Sequence, residues 1–198
     1  YPVIGIQECY PVYLTGIGIS DPEFHTHREE GLISHQILFT MSGKGKIIVG
    51  DKEYTAGKGS IFYVASGEPH TYYPIDGDWR TYWVVFRGDS LDAMMARLGF
   101  GRYVVKTIND ITEVKKLYEQ IAAAAREPGD GAGHCSMLVY QYILLMHKLL
   151  IVQQENRTGT VVDNAIMYME KNYRDDISLQ TLASVCGIST QHFCRVFH

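Results

Sequence analysis

The spacing of hydrophobic and polar positions changes period near residue 89. Before it, apolar residues fall in short runs: VYLTGIGIS (12–20), HQILFTMS (35–42), GKIIVG (45–50), KEYTAG (52–57), SIFYVAS (60–66), HTYYPI (70–75) and RTYWVVF (80–86). Each run is rich in β-branched and aromatic residues and is bounded by turn-prone pieces such as SGKG, SGEP and DGD. So many strands in so short a span predict a small barrel or sandwich rather than an open sheet with crossover helices. KIIVGDKEY reads as the clearest hairpin, with Gly50-Asp51 as its tight turn.

After residue 89 the pattern becomes helical. SLDAMMARLG predicts a short helix closed by Gly99, GRYVVKTI a last strand, and residues 110–128 a helix opened by Asp110 and Glu113 and stopped by Pro128. PGDGAG reads as a loop. Residues 134–155 predict a long helix in which Cys135, Leu138, Tyr142, Leu145, Leu149 and Val152 recur at alternating steps of three and four, the seam spacing of a coiled coil. Its other faces are apolar as well, through Met137, Ile143, Leu144, Met146, Leu150 and Ile151. One face is therefore expected to pack on the chain's own barrel, and the seam, through Leu138, Tyr142, Leu145, Leu149 and Val152, on a second copy; the alternative is a helix wrapped by its own domain. QQENRTGT (153–160) is polar and aperiodic and reads as a linker, assigned to 155–160.

The last forty or so residues predict three helices. Val162, Ala165, Ile166, Met169 and Tyr173 outline the first; Ser178 caps LQTLASVCG and Ser189 caps TQHFCRVFH. Gly187 makes the turn between the second and third, Ala183 supplies the small side chain at their crossing, and Leu182, Cys186, Ile188, Phe193 and Val196 supply the contacts. This is a helix-turn-helix pattern. Phe193, Val196 and Phe197 are assigned to the inside, and Thr190, Gln191, Cys194 and Arg195 to the face that would meet DNA. Gln and Arg can bond base edges in bidentate fashion, and Thr190 suits a phosphate.

Composition changes this picture little. The chain of 198 residues is 46% hydrophobic with a net charge of −4, so bulk electrostatics offers no argument for nucleic acid. Residues 161–198 are themselves slightly acidic, which predicts weak DNA binding by this segment alone. The four cysteines are scattered and fit a reduced, cytoplasmic setting; no run approaches the ~20 apolar residues of a membrane span. Tyr1 in place of an initiator Met, and a helical pattern still running at His198, read as a fragment.

The arrangement of β shell, two helices, linker and ISLQTLASVCGISTQHFCRVFH resembles the AraC/XylS family of bacterial transcription regulators. The stretch from REEGLISHQ through GKGS, SGEPH and YWVVFRG is similar to that family's cupin-type arabinose-binding domain. The resemblance implies an α+β chain. A cupin or jelly-roll-like barrel occupies 1–108, dimerisation helices 109–154, a linker 155–160 and a first helix-turn-helix unit 161–198, with a second unit absent. It implies no enzyme activity and no cofactor, a homodimer, DNA as partner (weakly in this form) and a small effector, often a sugar, inside the barrel. Motif by motif it carries effector contacts onto Arg28, Tyr72 and Trp83, with Thr81 on the same side of its strand and His70 in or beside the pocket. An indole face suits the C–H side of a pyranose, and Arg and hydroxyls suit its oxygens. A histidine in the arabinose sensor is replaced by Thr81, which counts against arabinose itself. The alternative is structural: Trp83 and Tyr72 as core, with Arg28 paired to Glu29 or Glu30 at the rim. A rival reading is a metal-dependent cupin enzyme using His25, His27, Glu30 and His70, whose spacing departs from the cupin motifs.

Overall fold

The computed structural model describes residues 9–127, 131–173 and 176–196. Three expectations lie outside the described residues: the stop at Pro128, the first half of the PGDGAG loop, and the inward side chain of Phe197. The chain divides into two compact units, Tyr1–Leu150 and Ile151–His198.

Among the described residues nine strands form two antiparallel sheets in the first unit. They are β1 (Tyr13–Ser20), β2 (Thr26–Arg28), β3 (His35–Ser42), β4 (Gly45–Val49), β5 (Lys52–Ala56), β6 (Ser60–Val64), β7 (His70–Pro74), β8 (Arg80–Arg87) and β9 (Tyr103–Thr107). One sheet runs β1-β8-β3-β6-β9 and the other β2-β7-β4-β5. Strands one and eight, three and six, two and seven, four and five are neighbours, which is the double Greek key of a jelly roll, the architecture of the cupins. Gly50, at φ 57°, makes the tight turn that joins Val49 to its partner Lys52. Unanticipated is β2: three residues with no alternation, held by pairing Thr26 with Tyr72 and Arg28 with His70.

The five-stranded sheet is covered on its outer face by helices. Between β8 and β9 comes α1 (Leu91–Arg97); after β9 come α2 (Thr112–Ala124) and α3 (Gly131–His147), and a π-helical turn follows at Lys148–Val152. Ile37, Phe39, Tyr82, Val84 and Phe86 point to the helices, and Tyr118 of α2 packs against Phe39 and Tyr82. Asp110 accepts from the Thr112 amide at 2.9 Å, so α2 starts two residues later than the sequence pattern implies. Along α3, Cys135, Leu138, Val139, Tyr142, Ile143, Met146 and Leu150 are buried within the unit. This corrects the dimer seam: Leu138 and Tyr142 belong to the chain's own core, and Leu145, Leu149 and Val152 are half-buried. The outward apolar side chains are Met137, Tyr140 and Leu144. Gly131–Val152 also corrects the expectation on apolar runs, since this helix of 22 residues contains a window of mean hydropathy 1.6, enough by length and composition to cross a bilayer. Packing of one face inside the first unit accounts for part of that apolarity, and Met137, Tyr140 and Leu144 keep the opposite face apolar and exposed.

The second unit holds α4 (Gln153–Lys171), α5 (Leu179–Val185) and α6 (Thr190–Val196). The expected linker 155–160 is helical backbone within α4. It contains no proline, and Gln153, Gln154, Glu155 and Arg157 are all good helix formers, so polarity alone does not break it. Ala165, Leu182, Ala183 and Phe193 form the core, flanked by Val161, Tyr168, Met169, Ile177, Cys186 and Ile188. The inward stripe of α4 is thus Val161, Ala165, Tyr168 and Met169, while Ile166 and Tyr173 are exposed, a rotation from the expected face. Ser178 accepts from the Thr181 amide and Ser189 from the His192 amide, so both caps form as the sequence indicates. The α5 end is a Schellman motif: Ile188 N–H donates to Ala183 C=O and Gly187 N–H to Ser184 C=O, with Gly187 at φ 67°.

Candidate functional site

The candidate site lies between the two sheets of the first unit, at the flank where β1 and β2 are the sheet edges. Register fixes which side chains face inward. Thr81 and Trp83 of β8 pair with Thr40 and Leu38 of β3 and share their face, while Arg28, His70 and Tyr72 share the inner face of the opposite sheet. All five predicted effector residues therefore look into one inter-sheet space.

They are not all available. Thr81 is fully buried and its hydroxyl donates to the Glu23 carboxylate, which corrects its assignment as a free ligand contact. Glu23 is itself buried, accepts from the Phe24 amide at 2.9 Å, and is tied through its own amide to Trp79 C=O. Trp83 is half-buried, and its indole N–H donates to Ser20 Oγ at 3.2 Å. The indole lies over Gly18, where a Cβ would stand 2.3 Å from the ring. Gly16, Gly18 and Ser20 form the inner side of β1, and this row of small residues leaves Trp83 and Val85 half-exposed where the opposite face of β8 is sealed.

The other sheet contributes a chain of hydrogen bonds. His70 Nδ1 contacts Glu68 C=O at 2.7 Å, and His70 Nε2 contacts Arg28 Nη1 at 2.9 Å. A guanidinium can only donate and a carbonyl can only accept, so the imidazole carries its proton on Nδ1 and is neutral. Burial holds His70 below its ordinary pKa; the Glu68 carbonyl opposes this and Arg28 reinforces it. Arg28 Nη1 also donates to Gln36 Oε1 at 2.9 Å, a strut from β2 to β3 that links the sheets. The guanidinium lies 5.8 Å from the Tyr72 ring centre, and His70 stacks on the same ring at 5.9 Å and 11°. Tyr72 is buried, and its hydroxyl has no protein partner among the described residues. Arg28 does not pair with Glu29 or Glu30; Glu29 lies by His27 instead.

The metal set is not assembled. His27 points to the outer face of its strand, between Thr71 and Glu29, whereas His70 points inward with both ring nitrogens engaged. His25 lies tilted against the Tyr73 ring at 5.2 Å, and Glu30 is exposed beyond β2. Among the described residues no three His, Cys, Asp or Glu side chains converge as a metal site would require.

A second concavity, of about 670 Å³, lies outside the barrel, lined by residues that include Tyr10, Leu91, Met94, Met137 and Tyr140. Asp89 is its one charged lining residue among those described. In the second unit, Gln191 and Arg195 of α6 are exposed as expected, Thr190 and Cys194 are half-buried, and His192, not anticipated, joins the exposed side.

The sequence chemistry missed Glu23, Gln36 and Ser20. A usable signal existed for this flank: TGIGIS alternates residues without bulk and isoleucines, so the inner face of β1 carries little side-chain volume of its own.

Comparison with known proteins follows the same lines. The chain is 22% identical over 174 residues to the MmsAB operon regulatory protein of Pseudomonas aeruginosa, covering 85% of this chain and 56% of that one. It thus spans little more than half of that relative's length. Among solved structures it is similar to ToxT K231A of Vibrio cholerae (10% identity, TM-score 0.42, 91% of each chain). It is also similar to the AraC-like transcriptional activator CuxR (14% identity, TM-score 0.40, 94% of this chain and 68% of that). Residues 11–135, more than half of the chain, match the AraC-like ligand binding domain, and the chain belongs to that family of AraC-type regulators.

Proposed function

We propose that this chain senses a small polar effector in the inter-sheet cleft and reads operator DNA through α6, as part of a ligand-responsive transcription regulator. The observation that carries the effector reading is the half-exposed Trp83 facing Arg28, His70 and Tyr72 across a β1 inner face of Gly16, Gly18 and Ser20. An aromatic plane opposed by directional donors is the composition of a site for a small polyhydroxylated molecule, and a carbohydrate is the class it fits. The DNA reading rests on the capped helix pair with Gln191 and Arg195 exposed on α6. Self-association through the outward Met137, Tyr140 and Leu144 of α3 and a cytoplasmic setting complete the proposal. Effector occupancy would shift the population of DNA-binding arrangements by its differential affinity for them.

The direct test is thermal unfolding against a panel of mono- and oligosaccharides and their derivatives, since a ligand specific to the folded state raises its Tm. Trp83→Ala is expected to abolish any shift found, and a shift retained in full would move the site elsewhere, with the 670 Å³ concavity the first place to look. For DNA, Arg195→Ala in a protein carrying both DNA-reading units is expected to relax preference at one base pair. Equal weakening on all sequences would mark a phosphate contact instead.

A further inference from the structure

We propose that the effector carries a carboxylate, or another small planar anion, and that Arg28 is its anchor; this rests on the inter-sheet cleft being the effector site. The inference comes from how the guanidinium is used. Both protein hydrogen bonds of Arg28 fall on Nη1, and both go to neutral acceptors, Gln36 Oε1 and His70 Nε2. The remaining edge, formed by Nε–H and Nη2–H, meets no protein acceptor among the described residues. That edge is the two-pronged fork that matches a carboxylate.

Charge points the same way. Arg28 is half-buried, and no carboxylate lies within ion-pair distance of it among the described residues. Glu23, the buried carboxylate of the same flank, has one oxygen on the Thr81 hydroxyl and the other on the Phe24 amide. Glu68 turns its carboxylate to Arg102 and presents only its carbonyl to His70. A cation drawn partly out of water without a counter-charge is costly, and an incoming anion would recover that cost where a neutral hydroxyl would recover less. Nη1 is held by Gln36 and His70, and the Tyr72 ring lies beneath, so the free edge is presented in a fixed direction before the ligand arrives. The cleft thereby selects for an acid among small polar molecules: a sugar acid or a hydroxy acid shares the required group.

The test compares matched pairs that differ in the acid alone, D-galacturonate with D-galactose and lactate with 1,2-propanediol, by Tm shift and by calorimetric titration at neutral pH. The expected result is a shift with the acid member of at least one pair, none with its neutral partner, and binding weakened roughly 10- to 100-fold by Arg28→Gln. Which pair responds separates the sugar acid from the hydroxy acid. Arg28→Lys keeps the charge and loses the fork, and is expected to weaken binding about tenfold. Each variant is read against its own unliganded Tm, and the wild-type pairs decide the matter even if a variant does not fold. Equal shifts with neutral and acid members, or full binding by Arg28→Gln, would overturn the anion anchor and leave the cleft as effector site standing. No shift with any member, here and across the saccharide panel, would overturn both.

Discussion

The two flanks of the inter-sheet space are built from the same jelly roll and are chemically unlike. Toward β9 and β5 it is filled by Phe62, Val64, Val49 and Ala56 and closed by Val105 and the edge-on pair Tyr54 and Tyr103. Toward β1 and β2 the inward positions are Gly16, Gly18, Ser20, Thr26, Arg28 and Gln36, with Trp83 only half-covered. Packing the first flank stabilises the fold, and this leaves the second free to keep polar groups that a core would not tolerate. His70 stands at the junction, edge-on to Phe62 on one side and bonded to Arg28 on the other.

Perturbing the closed flank is expected to have the largest effect. Phe62→Ala removes a fully buried ring and should cost about 3–5 kcal/mol in urea unfolding. A loss below ~1 kcal/mol would mean that this flank is not the packed one. On the open flank, Gly18→Ala places a methyl where the indole lies and should cost a smaller ~1–3 kcal/mol while removing effector-induced shifts, because Trp83 must move. Unimpaired ligand response in that variant would separate Trp83 from the site.

Acidification probes the junction. The folded-state pKa of His70 lies below its unfolded value near ~6.5, held there chiefly by burial. The unfolded chain therefore binds the extra proton first. The stability is complete above ~6.5 and is lost as pH falls toward the folded value, at no more than about 1.4 kcal/mol per pH unit for one proton. His35, buried beneath α1 and also depressed chiefly by burial despite Asp92, acts in the same direction. A Tm that declines between pH 7 and 5, and declines less steeply in His70→Gln, is the expected outcome; identical slopes would assign the effect to other groups.

How much of this was legible in the sequence follows from how local each feature is. Strands with their own β-branched runs and turns, the caps at Ser178 and Ser189, and the turn at Gly187 depend on neighbours a few positions away. They could be read directly. β2 has no pattern of its own and exists because β7 pairs with it. Glu23 reaches Thr81 across 58 positions, and Gln36 is joined to Arg28 only when the sheets face each other. The α3 seam was visible as spacing, but spacing does not say which partner takes it, and the chain's own core takes Cys135, Leu138 and Tyr142.

Two tryptophans mark the interior, and they permit the most direct measurement. Trp79 is fully buried with its N–H on Thr40, whereas Trp83 borders the cleft. Acrylamide quenching is to be recorded with and without a compound that raises the Tm, in the wild type and in Trp83→Phe. The account requires that ligand shield the quenchable emission of the wild type and leave the residual Trp79 emission of the variant unchanged. A stabilising compound that leaves wild-type quenching untouched would contradict it, because the effector would then bind somewhere other than between the sheets.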